Sequence, residues 1–335
     1  MPTLTRTCSL AAAALLAGAA HADHTRNILI TGYWPPTNEM LRPWSQNTEQ
    51  NPGGWIGANW EGRGYDIYAY FPEFPGGTGM NPKGNGDLEV DYQDTAADWA
   101  QIVAAIRPVA IITFSRANTT RGWEMEPACQ RFRLSGEPLV PGRTVPIYTI
   151  DYVPQTRPVD VPIAAETPGH IRNSSLPMQA IVDAVRAGIP SPTDIDPFVQ
   201  NYDPMNPNGF DFAGGFLSGY IGYLGIWYSE DHAAADDPSR CVAAGHVHVG
   251  QGTNVLIARQ ATEISLRQLI AHVNSILPLC PADFNGDGSL DPDDLGDFIN
   301  CYFSLPPCDG ADFNADGSVD PDDLGDFINN YFAGC

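Results

Sequence analysis

Three short stretches of this 335-residue chain carry side chains suited to proton transfer and nucleophilic attack. Arg121-Gly122-Trp123-Glu124-Met125-Glu126 offers a carboxylate at Glu126. Ala213-Gly214-Gly215-Phe216-Leu217-Ser218-Gly219-Tyr220 is a glycine-rich loop that carries Ser218 and runs into an apolar helix spanning Tyr220 to Trp227. Ala244-Gly245-His246-Val247-His248-Val249 places His248 on a late strand. A hydroxyl at a helix start, an imidazole at a strand end and a carboxylate are the parts of a nucleophile, base and orienter set. The helix start adds backbone N–H groups able to stabilise an oxyanion. Each residue also has a plainer reading: Ser218 as an N-cap, Glu126 as a surface carboxylate, His248 as a hydrogen-bonded core histidine. The same strand allows a different chemistry. His246 and His248 stand at i, i+2 on one strand face with Asp231-His232 close in sequence, and His-x-His can ligate zinc for hydrolysis.

A second constellation fills the C-terminal end. Asp283, Asn285, Asp287, Asp291 and Asp294 occupy positions 1, 3, 5, 9 and 12 of a loop with Gly288 at position 6 and the Ser289 carbonyl at position 7. Asp312, Asn314, Asp316, Asp320 and Asp323 repeat the pattern around Gly317 and Ser318. Hard oxygen donors at this spacing, with a glycine for the sharp turn, suit Ca2+, and two ions are expected. Aspartate at position 12 reaches one methylene less than the usual glutamate. Each loop leads into Leu-Gly-Asp-Phe-Ile-Asn, where Leu295, Phe298, Ile299, Tyr302 and their counterparts Leu324, Phe327, Ile328, Tyr331 fit one helical face.

The intervening chain must position the first set. Asn27 to Gly32 reads as a buried strand, Tyr65 to Phe71 as a second and Val109 to Phe114 as a third. Asp94 or Thr95 caps a helix that runs to Arg107 and stops before Pro108. Ser174 or Ser175 caps another, from about 177 to 187. Val242 to Val249 is a strand and Thr262 to Leu277 a closing helix. Strands alternating with helices predict an α/β fold of three layers, α/β/α, with a mostly parallel sheet, followed by a small all-α calcium-binding unit. Two Pro- and Gly-rich stretches, 35–62 and 136–169, lack core periodicity and read as surface insertions. Trp34, Trp44, Trp55 and Trp60 in or near the first would either cover a loop-rich core or stack on sugars or peptides.

Residues 27–277 resemble pyroglutamyl peptidase I. The motifs are Ile28-Leu29-Ile30-Thr31-Gly32-Tyr33, Arg107-Pro108-Val109-Ala110-Ile111-Ile112, Trp123-Glu124-Met125-Glu126, Ser175-Leu176-Pro177-Met178-Gln179-Ala180-Ile181, Ala213 to Ser218, Ala244 to Val249 and Ile264-Ser265-Leu266, in the family's order. The resemblance implies a hydrolase of peptides or related amides, with Glu126 and His248 at catalytic positions and Ser218 where the family has its nucleophilic cysteine. A serine there would need His248 as general base, oriented by Glu126. The family's Asn-His after the cysteine is Gly219-Tyr220, and its Phe-Gly-Pro-Phe loop is Tyr33-Trp34-Pro35-Pro36, so substrate identity does not carry over. An inactive peptidase fold serving as a binding module is the competing implication. Residues 280–335 resemble a dockerin of the kind bounded by Cys-Pro and Gly-Cys, which implies docking onto a cohesin-like or cell-surface partner. That likeness also suggests disulfides Cys280–Cys335 and Cys301–Cys308, leaving Cys129 and Cys241 to pair.

Met1 to Ala22 has a basic n-region, a short apolar run and an Ala20-His21-Ala22 cleavage site, the pattern of a bacterial-type secretory signal peptide, with 23–278 as the α/β domain after it. Export places the later cysteines in an oxidising compartment. The net charge is −23, and thirteen aspartates with no Lys, Arg or Glu follow Cys280, so the tail requires cations to fold. No nucleic-acid partner and no membrane span are expected.

Overall fold

The computed structural model describes residues 25–79, 81–142, 144–149, 158, 165–201, 214–277, 280–286, 290–308 and 310–334. The expected signal peptide 1–22, Ala213, the loop residues Asp287, Gly288 and Ser289, and Cys335 lie outside the described residues.

The elements follow one another as β1 (Asn27–Thr31), α1 (Thr37–Leu41), β2 (Asp66–Tyr70), α2 (Tyr92–Ile106), β3 (Ala110–Ala117), β4 (Gly122–Glu126), β5 (Ala128–Gln130), β6 (Ile171–Asn173), α3 (Met178–Gly188), β7 (Asp196–Val199), α4 (Leu217–Asp231), β8 (Ala243–Gly250), α5 (Val255–Ile276), α6 (Pro292–Tyr302) and α7 (Pro321–Ala333). Six strands form one sheet in the order β2-β1-β3-β8-β4-β7. β1–β2, β1–β3, β3–β8 and β4–β7 pair in parallel, whereas β4 runs antiparallel to β8. The expected α/β class with a mostly parallel sheet is the observed one.

Alternation along the strands assigns the layers. Ile28, Ile30, Ala110, Ile112, Phe114, Trp123, Met125, Val247 and Val249 pack on α1, α3 and α5. Leu29, Ile111 and Ala244 pack on α2 and α4. α4 is buried almost all round, with Leu217, Tyr220, Ile221, Leu224 and Tyr228 in one core and Tyr223 and Ile226 against Cys129 of β5. A helix with no polar stripe must be covered on several sides, here by the sheet and by the β5–β6 ribbon. Gly222 permits the close approach: a Cβ there would lie 2.7 Å from the Cys129 sulfur and 3.1 Å from the His246 Cβ.

Several boundaries differ from expectation for local reasons. α2 starts earlier because Asp91, not Asp94 or Thr95, caps it, accepting from the Gln93 and Asp94 N–H groups. α3 is preceded by Pro177, with no side-chain cap. Ser175 instead binds the Ala244 N–H at 2.8 Å and ties the helix entry to β8. Ser218 lies inside the first turn of α4, whose N-cap is Phe216, so it is not the N-cap. The 35–62 stretch is not merely a surface insertion: Met40, Leu41, Trp44 and Trp60 are buried in the core. Trp44 is fully enclosed, so Trp44→Ala is expected to cost about 3–5 kcal/mol, read as a lower urea midpoint. An unchanged midpoint would mean that this segment does drape over the surface.

Cys301 and Cys308 are disulfide-bonded, as expected. Cys280 is also disulfide-bonded, and the expected partner Cys335 lies outside the described residues. Cys129 and Cys241 are both buried free thiols, which corrects the expected pairing. Cys129 packs beside Gly222, whereas the Cys241 N–H bonds the His232 carbonyl. Ten residues of helix separate those two contacts, about 15 Å of rise. Burial raises the Cys129 thiol pKa well above its ordinary value and that of Cys241 to about 12, so both stay protonated.

α6 and α7 enclose a small core of Ala282, Phe298 and Phe327, with the two phenyl rings stacked at 4.0 Å. Arg26, just before β1, reaches this unit and pairs with Asp283 at 2.6 Å. No helix among the described residues is long and apolar enough to cross a membrane.

Candidate active site

β3, β8 and β4 lie side by side, and the face toward α4 carries a polar row on an otherwise apolar sheet. In register, Thr113 stands beside His246 and Ser115 beside His248, while Glu124 opposes His248 and Glu126 opposes His246. Paired residues share a face, so the i, i+2 spacing of each strand brings Thr113, Ser115, His246, His248, Glu124 and Glu126 together.

The His248 Nδ1–H donates to Glu126 Oε1 at 2.6 Å. With a carboxylate on Nδ1, Nε2 is left as the basic nitrogen. Glu126 is only 3% exposed and its Oε2 has no hydrogen-bond partner among the described residues. Glu124, 5% exposed, accepts from Thr119 Oγ1 at 2.5 Å and from Gln200 Nε2 at 3.2 Å. His246 is fully buried beneath His248, the two rings edge to face at 4.8 Å. Its nitrogens bond Thr113 Oγ1 and Ser115 Oγ, each at 2.8 Å. Burial holds its pKa well below the ordinary histidine value, so it is a neutral support.

Above this row opens a cavity of about 340 Å³ whose lining includes Ser218, His248, Glu126, Glu124, Tyr33 and Trp34. The Ser218 hydroxyl lies 3.8 Å from where a Cβ on Gly214 would sit, and Gly214 has a φ of +84° that favours glycine. Burial pushes the Tyr33 phenol far above its ordinary pKa, and it bonds Thr95 at 3.0 Å, so that wall is uncharged. Arg116 also lines the cavity, its guanidinium over the Trp34 ring at 4.8 Å and bonded to Asn81 at 2.7 Å.

No protein-family profile and no curated protein matches this chain. Among solved structures, it is similar to pyrrolidone carboxyl peptidase from Pyrococcus furiosus, with a TM-score of 0.46 and 13% identity over 74% of this chain and 99% of the other. It is similar to the Thermococcus litoralis enzyme of that name, with a TM-score of 0.45 and 15% identity over 75% and 96%. Pyroglutamyl peptidase I from Bacillus amyloliquefaciens gives 0.43 and 12% over 74% and 97%.

Ser218, His248 and Glu126 thus line one cavity, although they come from α4, β8 and β4. The residues of the alternative zinc reading are engaged in hydrogen bonds and do not converge. Both His246 nitrogens are occupied by hydroxyls, and His232 bonds Asp237 at 2.8 Å beyond the far end of α4. Glu124, Ser115, Thr113 and Gln200 escaped the sequence reading. Period-two polar residues in Thr113-Phe114-Ser115 and Glu124-Met125-Glu126 signalled the row. Gln200 follows β7, a strand disguised by Pro197 and tolerable only at the sheet edge where it lies.

In the second acidic loop, the Asp312 carboxylate accepts from the Asp316 and Gly317 N–H groups at 3.0 and 2.9 Å. Asp323 accepts from Asn314 N–H at 3.1 Å and Asp320 N–H at 2.8 Å, clamping the loop's start to its end. Those N–H donors, Asp320's first, hold the Asp323 carboxyl below the ordinary range. Asp294 makes the same clamp with Asn285 and Asp291. Gly317 turns the second loop at a φ of +92°, in the left-handed region that favours glycine. Asp291 and Asp320 also cap α6 and α7.

Proposed function

We propose that this protein is an exported serine-dependent hydrolase of a peptide or related amide, carried on a C-terminal module that binds two Ca2+ ions and docks onto a cohesin-like or cell-surface partner. The observation that carries the enzyme reading is the buried Glu126–His248 pair, 2.6 Å apart, at a cavity that Ser218 also lines. In this reading the Ser218 oxygen attacks the amide carbon while His248 Nε2 takes its proton. Glu126 stabilises the imidazolium that forms, and the N-terminal end of α4 favours the oxyanion. The imidazolium then protonates the leaving amine, and water, activated by the same base, releases the acid and restores Ser218.

A fluorophosphonate or β-lactone probe tests this directly. Peptide mapping is expected to find the adduct on Ser218. Absence of labelling in folded protein would replace the enzyme with a binding module of the same fold.

For the tail, calorimetry on the full chain is expected to find two Ca2+ sites, with helix content falling when a chelator removes the ions. Asp316→Ala should remove one site, since a neutral methyl replaces a charged ligand. Arg26→Ala should tighten the first loop, because Asp283 would no longer be shared with a guanidinium. Two sites insensitive to both changes would place the ions elsewhere.

A further inference from the structure

Glu124 has no part in the proposed proton transfer, yet it is a second buried carboxylate beside the first. Glu124, Glu126 and His248 each present one ligand atom, and these atoms lie within 4.8 Å of one another. Both carboxylates are at least nine-tenths buried, and no lysine or arginine among the described residues pairs with either. Thr119 and Gln200, which bond Glu124, are neutral. Glu126 Oε2 has no hydrogen-bond partner among the described residues. A buried carboxylate oxygen without a partner, beside a second buried carboxylate and an imidazole, is a donor set suited to a cation, because a buried polar atom left unpaired costs free energy.

We propose that Glu124, Glu126 and His248 form a binding site for a divalent transition-metal ion of the Zn2+ class. The donor set decides the class. One imidazole nitrogen with two carboxylates suits Zn2+ and its neighbours, whereas Ca2+ and Mg2+ prefer oxygen alone. Zn2+ binds nitrogen and oxygen at about 2.0–2.2 Å, so small rotations of two glutamate side chains would close the observed spread around one ion. Three protein ligands leave a coordination position open toward the cavity. This is not the His-x-His arrangement, since His246 takes no part.

A consequence rests on the hydrolase reading. Whichever ring nitrogen the ion takes, His248 loses either its bond to Glu126 or its free basic nitrogen. Metal occupancy and serine chemistry therefore exclude each other, and Zn2+ would act as a reversible block on Ser218.

The test uses the full chain, stripped of transition metals and kept in excess Ca2+ to fill the tail loops. Zn2+ is titrated by calorimetry and Co2+ by visible absorption. The expected result is one site, a Co2+ spectrum bleached by one equivalent of Zn2+, and an affinity at least tenfold weaker in Glu124→Gln. Fluorophosphonate labelling of Ser218 should stop when Zn2+ is bound and return on chelation. No binding beyond the calcium loops, or binding indifferent to Glu124→Gln in a variant that folds, overturns the site. The Co2+ spectrum of the unaltered protein is decisive if that variant does not fold. Glu124-dependent Zn2+ binding without any labelling of Ser218 upholds the site and defeats the hydrolase. Labelling that persists with Zn2+ bound overturns the mutual exclusion.

Discussion

His248→Ala is expected to abolish labelling of Ser218, lowering its rate by about a hundredfold to ten-thousandfold, the range that a positioned general base supplies. A serine hydroxyl is almost wholly protonated at neutral pH, so attack requires a base aligned to take the proton as the bond forms. The substitution also strands the buried Glu126 carboxyl, whose Oε1 would lose its one hydrogen-bond partner among the described residues. Breaking such a pair from one side costs about 3–5 kcal/mol, so loss of labelling alone would be ambiguous. The double variant Glu126→Gln with His248→Ala removes the stranded carboxyl and should recover much of that stability without recovering reactivity. Glu126→Gln alone keeps the shape and loses the negative charge, and a drop of similar size is expected. Ser218→Cys completes the set: at a helix start beside an imidazole, a thiol is favoured as thiolate. Its alkylation by iodoacetamide should exceed that of an ordinary thiol and depend on His248. Equal reactivity with and without His248 would show that the imidazole does not serve residue 218.

The parts of this site were legible in the sequence to different degrees, for physical reasons. Ser218, His248 and Glu126 sit in short motifs whose residue types announce themselves, and the strands carrying His248 and preceding Glu126 are plain apolar runs. That Glu126 belongs to a strand was harder to see. β4 is short and alternates Trp123 and Met125 with two glutamates, so it reads as a polar loop unless the charged face is assumed to be buried. The antiparallel pairing of β4 with β8 puts carboxylates opposite imidazoles, and no local pattern encodes which strands become neighbours. The burial of Trp44 and Trp60 was illegible for a similar reason: their segment has no period, and its place is fixed by contacts with strands and a helix far away in sequence. Cys129 and Cys241 mark the opposite error. Oxidising surroundings make a disulfide available, but only distance decides whether it forms.

Lowering the pH is expected to destabilise the α/β part through His246. The imidazole is fully buried, and burial depresses its pKa well below the ordinary value near 6.5. Thr113 Oγ1 also approaches the Gly245 carbonyl at 3.3 Å, which directs its own proton there and makes it the acceptor of the Nδ1–H. Nε2 then accepts from Ser115. A second proton on the ring would end the Ser115 donation to Nε2 and place a charge in a fully buried position. The sign follows from linkage. Below pH 6.5 the unfolded chain binds a proton that the folded chain refuses, so the stability contributed by neutral His246 is complete above that pH and falls as the pH drops toward the folded value. The slope over that window approaches about 1.4 kcal/mol per pH unit. All seven tryptophans precede Cys280, so tryptophan fluorescence during urea unfolding reports on this part of the chain alone. His246→Gln should be less stable than the unaltered protein at pH 8, because an amide cannot span Thr113 and Ser115 as a ring does. Its urea midpoint should nevertheless fall more gently between pH 6.5 and 5. Parallel slopes in the two proteins would mean that His246 accepts its proton in the folded state, and that the row beneath His248 is not the rigid neutral support on which the proposed base depends.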